Sequence, residues 1–478
     1  MSEIHGNGLR KGAVGVAHIV FFVVAAAAPL TTVVGVSPAA FAFGNGPGVP
    51  GTYLLVGLLY IVFSIGFTAM NRFVGTAGGF YAYITNGLGR PAGVAGAFVA
   101  LASYNAIDIA VLGLFGFFSN NIVVSAGGPD IHWAIYAAAM IAAVQVCGAR
   151  DIEFSGRVLG TCMIAEIAIL ALLGMAILFG IGGRAPEGVS ISAFGPQAIL
   201  GPGFGVALIF VVASFIGFEA TAIFGEEAYD PKRTVARATY LAVAIIAIFY
   251  AFATWTITLH YGPSGIAQLA TDNASTLYPA AVKSRLGPLA YAIMNGLLLT
   301  SLFACALSFH NTINRYLFAL GREGVAWAGF ASTHRDHQSP HIAGSAQTLV
   351  ALVVVALFAL ARLHPYDVVF AWTSTFASIG ILLVQILVSL SVIAFFRKES
   401  RDVSVLDSLV APAASAAGLA GCLAMMIANL ALISGSESIV VDSFPVLIVA
   451  IGVAGYAYAI WIRRTRPTIY ANLGRAFG

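Results

Sequence analysis

The stretch VVAAAAPLTTVVGVSP, residues 23–38, is apolar enough to lie in a membrane but carries a proline in its middle. Pro29 removes one backbone donor and clashes with the preceding turn, so a helix here must kink or break. In lipid, the backbone groups freed by a break must be satisfied by protein, water or ligand. This stretch therefore predicts a cavity inside the membrane, with Thr31 and Thr32 able to cap the exposed groups.

A second interrupted stretch, VVASFIGFEATAIFGEE at residues 211–227, carries Ser214, Gly217 and Glu219 inside an apolar run. Taken alone, each stretch is also compatible with a plain proline kink or a packing glycine. Interrupted segments at corresponding positions of two halves are, however, typical of a transporter binding site. The pair therefore predicts a membrane carrier whose substrate site lies at its two broken helices.

The composition excludes a water-soluble globule. Of the 478 residues, 59% are hydrophobic and 9% are charged, whereas soluble chains carry about a quarter charged residues. The net charge of +3 comes without a basic stripe, so we expect no nucleic-acid partner. All four cysteines fall inside apolar runs and none forms a CxxC pair, so we expect no disulfide, no metal cluster and no cofactor.

Twelve apolar segments are long enough to cross the hydrocarbon core, which takes about 20 helical residues. They cover residues 14–43, 52–71, 92–122, 132–148, 157–181, 204–225, 236–260, 287–311, 342–361, 366–396, 409–433 and 443–462. The first has no small-residue cleavage site, so it is predicted to be a retained span rather than a signal peptide.

The basic residues predict the orientation of these spans. With a cytoplasmic N-terminus, all of the 23 Lys and Arg residues except Arg184, Lys283, Arg285 and Arg362 fall on the cytoplasmic side. This agrees with the positive-inside bias, which a wrong span count would scramble. The sequence thus predicts an all-α integral membrane protein with 12 transmembrane helices and both termini in the cytoplasm. We expect it in the plasma membrane, the inner membrane in a bacterium.

Three acidic residues fall inside predicted spans: Asp108 in span 3, Glu166 in span 5 and Glu219 in span 6. A charge at the bilayer centre costs several kcal/mol, roughly 3 or more, and no Lys or Arg lies in the middle of a span to pair with these acids. They are therefore neutral or hydrogen-bonded, or they face a cation such as H⁺, Na⁺ or a substrate ammonium. Glu219, beside the break, is the first choice for the coupling residue, and Glu166 is the second.

Four segments resemble the amino acid–polyamine–organocation permeases, and in particular the bacterial amino acid permeases. They are GGFYAY at residues 78–83, FIGFE at 215–219 with the following Glu226-Glu227 and Pro231-Lys232-Arg233, RYLFALGREG at 315–324, and Ser339-Pro340 before span 9. Because the four segments occur in the family's order from span 2 to span 9, together they indicate this family more specifically than any one of them does.

The resemblance implies a LeuT-type fold of two inverted repeats of five helices, followed by two peripheral helices. The whole chain, 1–478, would form one transporter domain, with the repeats at 1–181 and 204–396 and the peripheral spans at 409–462. It also implies a midplane site between spans 1, 3, 6, 8 and 10. Family members bind a substrate carboxylate at half-helix N-termini and its ammonium at the opposing carbonyl ends, in agreement with the helix dipole.

The candidate substrate-binding residues combine the two breaks with positions that resemble substrate-facing ones in the family. They are Ala28, Pro29, Thr31, Thr32, Tyr104, Asn105, Asp108, Phe215, Ile216, Gly217, Glu219 and Phe303. For the aromatic residues, ordinary packing is an equal alternative.

The chain departs from the family's pattern at two places, which limits how far the family's site residues can be assigned to positions of this chain. The first span has Ala28-Pro29-Leu30-Thr31-Thr32 in place of the family's glycine-serine-glycine break. Glu166 matches a position where a proton-coupled relative has a lysine and a sodium-coupled relative binds Na⁺. An acid there could carry a proton or retain a cation, so the coupling ion stays open.

Other polar residues have structural interpretations. Glu226, Glu227 and Arg233 are predicted to form cytoplasmic gate or helix-end pairs. His310 and Asn311 are expected to bond neighbouring helices. His334, His337 and His341 have spacing that zinc could use, but Pro340 breaks any helix there, so we do not expect a metal.

The sequence as a whole predicts a secondary active transporter that imports an amino acid or related amine by alternating access, with H⁺ symport. An amine or polyamine carrier and an exchanger remain alternatives, followed by a Na⁺ symporter and a transporter-like sensor. The chain lacks a nucleophile–base pair or clustered metal ligands, so we do not expect an enzyme. The sequence leaves the oligomeric state open.

Overall fold

The computed structural model describes residues 15–74, 79–150, 152–219, 221, 229–334, 339–398, 403–430 and 438–474. Within these residues the chain folds into helices and contains no β-strand. The helices are α1 (Val16–Ala26), α2 (Thr31–Phe43), α3 (Val49–Asn71), α4 (Gly79–Leu88), α5 (Arg90–Ser125), α6 (Trp133–Arg150), α7 (Ile152–Leu178), α8 (Phe204–Ala213), α9 (Pro231–Tyr261), α10 (Ile266–Asp272), α11 (Leu277–Leu286), α12 (Pro288–Arg322), α13 (His341–Leu360), α14 (Ala371–Lys398), α15 (Ala411–Ala428), α16 (Phe444–Thr465) and α17 (Pro467–Asn472).

Nine helices of the described chain are long and apolar enough to cross a membrane. Three shorter apolar helices, Thr31–Phe43, Trp133–Ala149 and Phe204–Ala213, fall in the predicted spans 1, 4 and 6. Each predicted span therefore contains an apolar helix. The expectation of an all-helical protein with several membrane spans is confirmed.

The helix ends follow local backbone chemistry. Gly89 and Gly287 precede α5 and α12 with φ angles of 101° and 88°, a region that only glycine enters easily. Each is followed by a proline within the first helical positions, where the missing N–H is not needed. The predicted span 287–311 is longer in the structure, since α12 continues to Arg322.

The core is built around α5, which contacts α4, α6, α12, α14 and α16. A second close pair is α3 with α9. A Cβ on Gly57 of α3 would lie 2.3 Å from the Cβ of Ala247 on α9, so these two helices approach at small residues. Close approach at small residues is the usual way that helices pack in lipid, where hydrophobicity alone does not drive association.

Candidate transport site

The first predicted span is interrupted between α1 and α2. The helix α1 ends at Ala26, and Ala28 has a φ angle of 43°, a left-handed conformation that is unfavourable for alanine. The chain then re-enters a helix whose first residues, Thr31–Val36, are π-helical. This interruption separates two half-helices and frees backbone groups at both ends.

Side chains from other helices satisfy the freed groups of this first break. The carbonyl of Ala27 accepts hydrogen bonds from Thr32 Oγ1 at 2.9 Å and from Tyr250 Oη, on α9, at 2.8 Å. The N–H of Thr31 donates to Ser301 Oγ, on α12, at 3.1 Å. Both the carbonyl end and the amide end of the break are thus bonded to protein.

Glu166 of α7 joins the same network. Its Oε2 accepts from the Leu30 N–H at 3.3 Å and from Ser301 Oγ at 2.6 Å, while Thr31 Oγ1 donates to Ser301 Oγ at 3.1 Å. A carboxylate at the N-terminus of a half-helix is stabilised by the free N–H groups and by the helix dipole. Glu166 therefore links the first break to two neighbouring helices.

The second break follows α8, which ends at Ala213. The chain passes through turns to Glu219, with Gly217 at a φ of 110°, which is available to glycine but not readily to other residues. Glu219 Oε2 accepts from the N–H of Gly217 at 3.0 Å, and its Oε1 accepts from Tyr104 Oη, on α5, at 2.6 Å. Glu219 thus holds its own break and ties it to α5.

Aromatic rings support the second break from the side of α3. The ring of Phe215 stacks on Tyr60 at a centroid distance of 5.1 Å, and Phe218 lies 4.9 Å from the same ring. Tyr53 Oη is 3.1 Å from Ser214 Oγ. These contacts direct Phe215 toward the aromatic cluster of α3.

A small cavity of about 30 Å³ lies between the two breaks, which is room for roughly one or two water molecules. Its wall comes from the predicted spans 1, 3, 6, 8 and 10. The lining residues are Ala27, Thr31, Thr32, Val36, Ile107, Ala110, Val111, Leu114, Ala213, Ser214, Ile216, Cys305, Phe309, Phe370 and Ser374. They are apolar or carry a hydroxyl or thiol, and none of them is charged.

The structure brings part of the predicted site to this cavity. Thr31, Thr32 and Ile216 line it. Ala28 and Gly217 are next to lining residues in the chain, Pro29 lies between the lining residues Ala27 and Thr31 without adjoining either, and Phe215 packs away from the cavity. Tyr104 is connected to the break through Glu219.

Three other predicted residues lie elsewhere. Asp108, 4% exposed, accepts a hydrogen bond from Gln347 Nε2 of α13 at 3.0 Å, so it ties α5 to α13. The Asn105 amide donates to the Leu101 carbonyl of its own helix at 2.8 Å. Phe303 is half-buried and packs against the core without lining the cavity.

The predicted gate and histidine groups are only partly described. Glu226, Glu227 and His337 lie outside the described residues. The exposed Arg233 is at the start of α9, where its N–H donates to Asp230 Oδ1 at 3.3 Å and its Nε is 3.9 Å from Asp230 Oδ2. This is a helix-end pair.

The histidines near the predicted cytoplasmic end contact neighbouring elements. His310 and Asn311 on α12 face α6, since a Cβ on Gly148 would lie 3.0 Å from His310 Cδ2 and 3.3 Å from Asn311 Oδ1. The rings of His334 and His341 are 5.6 Å apart. Within the described residues, no group of three metal-ligating side chains occurs.

Sequence reasoning missed several residues of the site. They are Ser301 and Tyr250, which satisfy the first break, and the lining residues Cys305, Phe309, Phe370 and Ser374. Hydroxyl and aromatic residues are frequent in these spans, so no local pattern distinguishes the ones that reach the site. A sequence signal that could have located Ser301 is its spacing along the chain from Gly324, which lies in a segment that resembles the permeases.

Comparison with known proteins gives one family for nearly the whole chain. A family model described as amino acid permease matches residues 18–470. Relatives include a low-affinity putrescine importer of Escherichia coli (strain K12), 22% identical over 58% of this chain and 59% of that protein. A branched-chain amino acid permease of Lactococcus lactis is 24% identical over 75% of this chain and 76% of that protein.

A third relative is the gamma-aminobutyric acid permease of Bacillus subtilis, 31% identical over 32% of this chain and 29% of that protein. The match to the putrescine importer leaves about two fifths of that relative uncovered. The three relatives are named for different substrates, so sequence similarity alone does not select among them.

Proposed function

This chain belongs to the amino acid permease family, and from that premise we propose that it is a secondary transporter that imports a neutral amino acid with an apolar side chain. Transport proceeds by alternating access, with H⁺ as the coupling ion. The proposal includes 12 membrane spans in a LeuT-type arrangement, cytoplasmic termini and a plasma-membrane location.

The observation that carries this proposal is the cavity between the two breaks. Its aliphatic and aromatic wall, which includes Val36, Val111 and Phe370, suits an apolar side chain, and the hydroxyls of Thr31, Thr32 and Ser374 offer polar contacts. A small-molecule site of this kind is mostly apolar with a few placed polar groups. The cavity is too small for an amino acid in this conformation, so binding requires it to expand.

The same observation weakens the amine alternative. A diamine such as putrescine carries charge at both ends, and burying a cation without a carboxylate partner is costly. The described wall of the cavity carries no carboxylate, and Glu166, Glu219 and Asp108 each accept hydrogen bonds from protein groups. The branched-chain amino acid permease therefore supports the proposal better than the putrescine importer does.

The two acids beside the breaks provide the proposed coupling. Each carboxylate accepts bonds that hold a half-helix or a turn in place. Protonation removes the negative charge that strengthens these bonds, so proton binding loosens the break and proton release restores it. Glu166 and Glu219 are the residues to which we assign this role.

Uptake by purified protein in liposomes tests the proposal. We expect leucine and valine to accumulate when the outside is acidic, with lysine and putrescine transported much less. Uptake that ignores the pH gradient but requires internal substrate would replace symport with exchange. Putrescine uptake that exceeds leucine uptake would instead establish the amine carrier.

A pair of variants controls for membrane insertion. Ala110→Leu fills the cavity wall and should abolish leucine uptake, because an overpacked site cannot admit the side chain. Ala139→Leu makes the same change at an exposed position of α6 and should leave uptake intact.

A further inference from the structure

The C-terminal segment, defined here as residues 467–474, is docked against the predicted cytoplasmic end of the helix bundle. Arg90, at the start of α5, donates from Nη2 to the Ala471 carbonyl at 2.8 Å and from Nε to the Leu473 carbonyl at 3.3 Å. Its guanidinium carbon lies 5.3 Å from the centroid of the Tyr470 ring. Leu473 is buried. The segment is thus held by both polar and apolar contacts.

Glu323, directly after α12, is the centre of this contact. It is 6% exposed, and its two carboxylate oxygens each lie 3.0 Å from the N–H of Gly474. Tyr81 Oη, on α4, donates a short hydrogen bond to the same carboxylate. Burial, followed by the nearby Glu323 charge, raises the pKa of the Tyr81 phenol, so Tyr81 stays protonated and able to donate.

Gly474 is adapted to this position. Its φ angle is 77°, and a Cβ there would lie 2.5 Å from Thr85 Cγ2 of α4. Any other residue would be strained and would push the segment away from α4. The segment therefore reaches Glu323 only because its backbone can approach α4 closely.

The contact crosses the two predicted repeats and continues toward the transport site. Tyr81 belongs to the first repeat and Glu323 to the second, and the C-terminal segment comes from outside both. Further inside, a Cβ on Gly79, at the start of α4, would lie 3.6 Å from Cε2 of Tyr316. The ring of Tyr316 lies 6.2 Å from that of Tyr104, and Tyr104 bonds Glu219 at the second break. Buried residues thus extend from the C-terminal segment to the break.

We propose that Glu323 fastens the C-terminal segment across the two repeats as a latch that releases before the cytoplasmic end opens. Alternating access moves one group of helices against another around a fixed site, so contacts that join the groups at one end must break when that end opens. A buried carboxylate is costly to leave without its partners. The latch therefore favours the conformation in which the cytoplasmic end is closed.

Cys305, which lines the central cavity, is a natural reporter of this opening. The test uses the full chain in liposomes with Cys147, Cys162 and Cys422 changed to alanine, labelled from the cytoplasmic side with a membrane-impermeant thiol reagent. We expect Glu323→Gln and Tyr81→Phe to label Cys305 faster, by on the order of tenfold for the loss of bonds to a charged group. A chain ending at Arg466 should behave in the same way.

Glu187→Gln is the matched control, since Glu187 bonds Ser264 in an exposed loop on the predicted outer side; its labelling rate should equal that of the parent. Labelling that is unchanged in Tyr81→Phe and Glu323→Gln overturns the latch. If Glu323→Gln does not fold, the labelling rate of Cys305 in Tyr81→Phe, which removes only one hydroxyl, decides whether the latch exists. If the shortened chain labels like its parent, the role of the C-terminal segment is overturned.

Combining Glu323→Gln with the shortened chain adds a further check. The combined variant should label no faster than either change alone, because both release one latch, and additive rates would contradict the proposal. The inference rests on the proposed transport cycle, but the labelling does not depend on a substrate. Faster labelling without uptake of any compound would therefore refute the proposed substrate and leave the latch intact.

Discussion

The two breaks are closed in different ways. The first is held by side chains of three other helices: Glu166 on α7, Ser301 on α12 and Tyr250 on α9. The second is held by its own Glu219, which accepts from the Gly217 N–H two residues away and from Tyr104 of α5, and by the contact of Ser214 with Tyr53 of α3. The carboxylate at the first break thus comes from another helix, whereas the carboxylate at the second break belongs to the interrupted span itself.

Because the two breaks are held differently, loss of the charge of Glu166 and loss of the charge of Glu219 should have different consequences. Loss of the Glu166 charge weakens contacts between helices, so it changes the relative positions of α2, α7 and α12. Loss of the Glu219 charge weakens a local turn and one contact to α5. Variants at the two breaks can therefore distinguish the coupling of helix movements from the shaping of the site.

The largest effect is expected for Glu166→Gln. Glutamine keeps the size of the side chain but cannot bind and release a proton, and it loses the charge-assisted bonds to Leu30 and Ser301. We expect accumulation driven by a pH gradient to fall about tenfold or more, with exchange of internal for external substrate retained. Parallel accumulation and counterflow assays check this, and full accumulation in the variant would remove Glu166 from coupling.

Glu219→Gln should have the next largest effect. Because Glu219 shares the proposed coupling role and shapes the break beside the cavity, we expect accumulation driven by a pH gradient to fall less than in Glu166→Gln. We also expect KM to rise roughly 5-fold from weakened bonds to Tyr104 and Gly217. Tyr104→Phe removes only one of these bonds and should show a smaller change in the same direction. Initial rates over a range of substrate concentrations measure both, and a KM identical to that of the parent in both variants would contradict this assignment.

A smaller effect is expected for Ser301→Ala. The serine accepts from Thr31 and donates to Glu166, so its loss leaves the Thr31 N–H without this partner while the direct bond from Leu30 to Glu166 remains. We expect transport to fall by about 3-fold, in line with one lost buried hydrogen bond. Ser308→Ala, on the same helix, is the control; if both variants lose activity equally, Ser301 has no special role at the break.

The smallest effect is expected for Ser374→Ala at the cavity wall. It removes one hydroxyl from the wall and leaves both breaks untouched. We expect the ratio of leucine to serine uptake to rise about two- to threefold, because a polar side chain loses a potential hydrogen-bond partner. Competition between the two labelled amino acids provides the measurement, and an unchanged ratio would show that Ser374 does not contact the substrate side chain.

Much of the fold follows from the sequence, because lipid imposes a simple rule. Backbone groups in lipid must be bonded within the protein, so apolar composition and length predict the helices. Pro29 and Gly217 mark the places where two of these helices are interrupted. The membership in the amino acid permease family, expected from four short segments, is confirmed by the match over residues 18–470. These features depend on residues close to one another in the chain.

The partners of the buried polar groups could not be predicted in this way. Ser301 meets Glu166 across 135 residues and Tyr250 meets Ala27 across 223 residues. Asp108 resembled a site residue because it is an acid in a span, yet its bond to Gln347 ties two helices together. Which of several possible partners a polar side chain meets depends on the rotation and depth of each helix, and neither is encoded in a local pattern.

The left-handed conformation of Ala28 gives the first break a further property. Alanine in this conformation costs about 1 kcal/mol relative to a right-handed one, whereas glycine would adopt it freely. The backbone between the two half-helices is therefore strained at Ala28 and does not act as a freely flexible hinge. Any state of the cycle that lets Ala28 relax recovers this energy, so the residue itself sets a preference between bent and straightened forms of the first span.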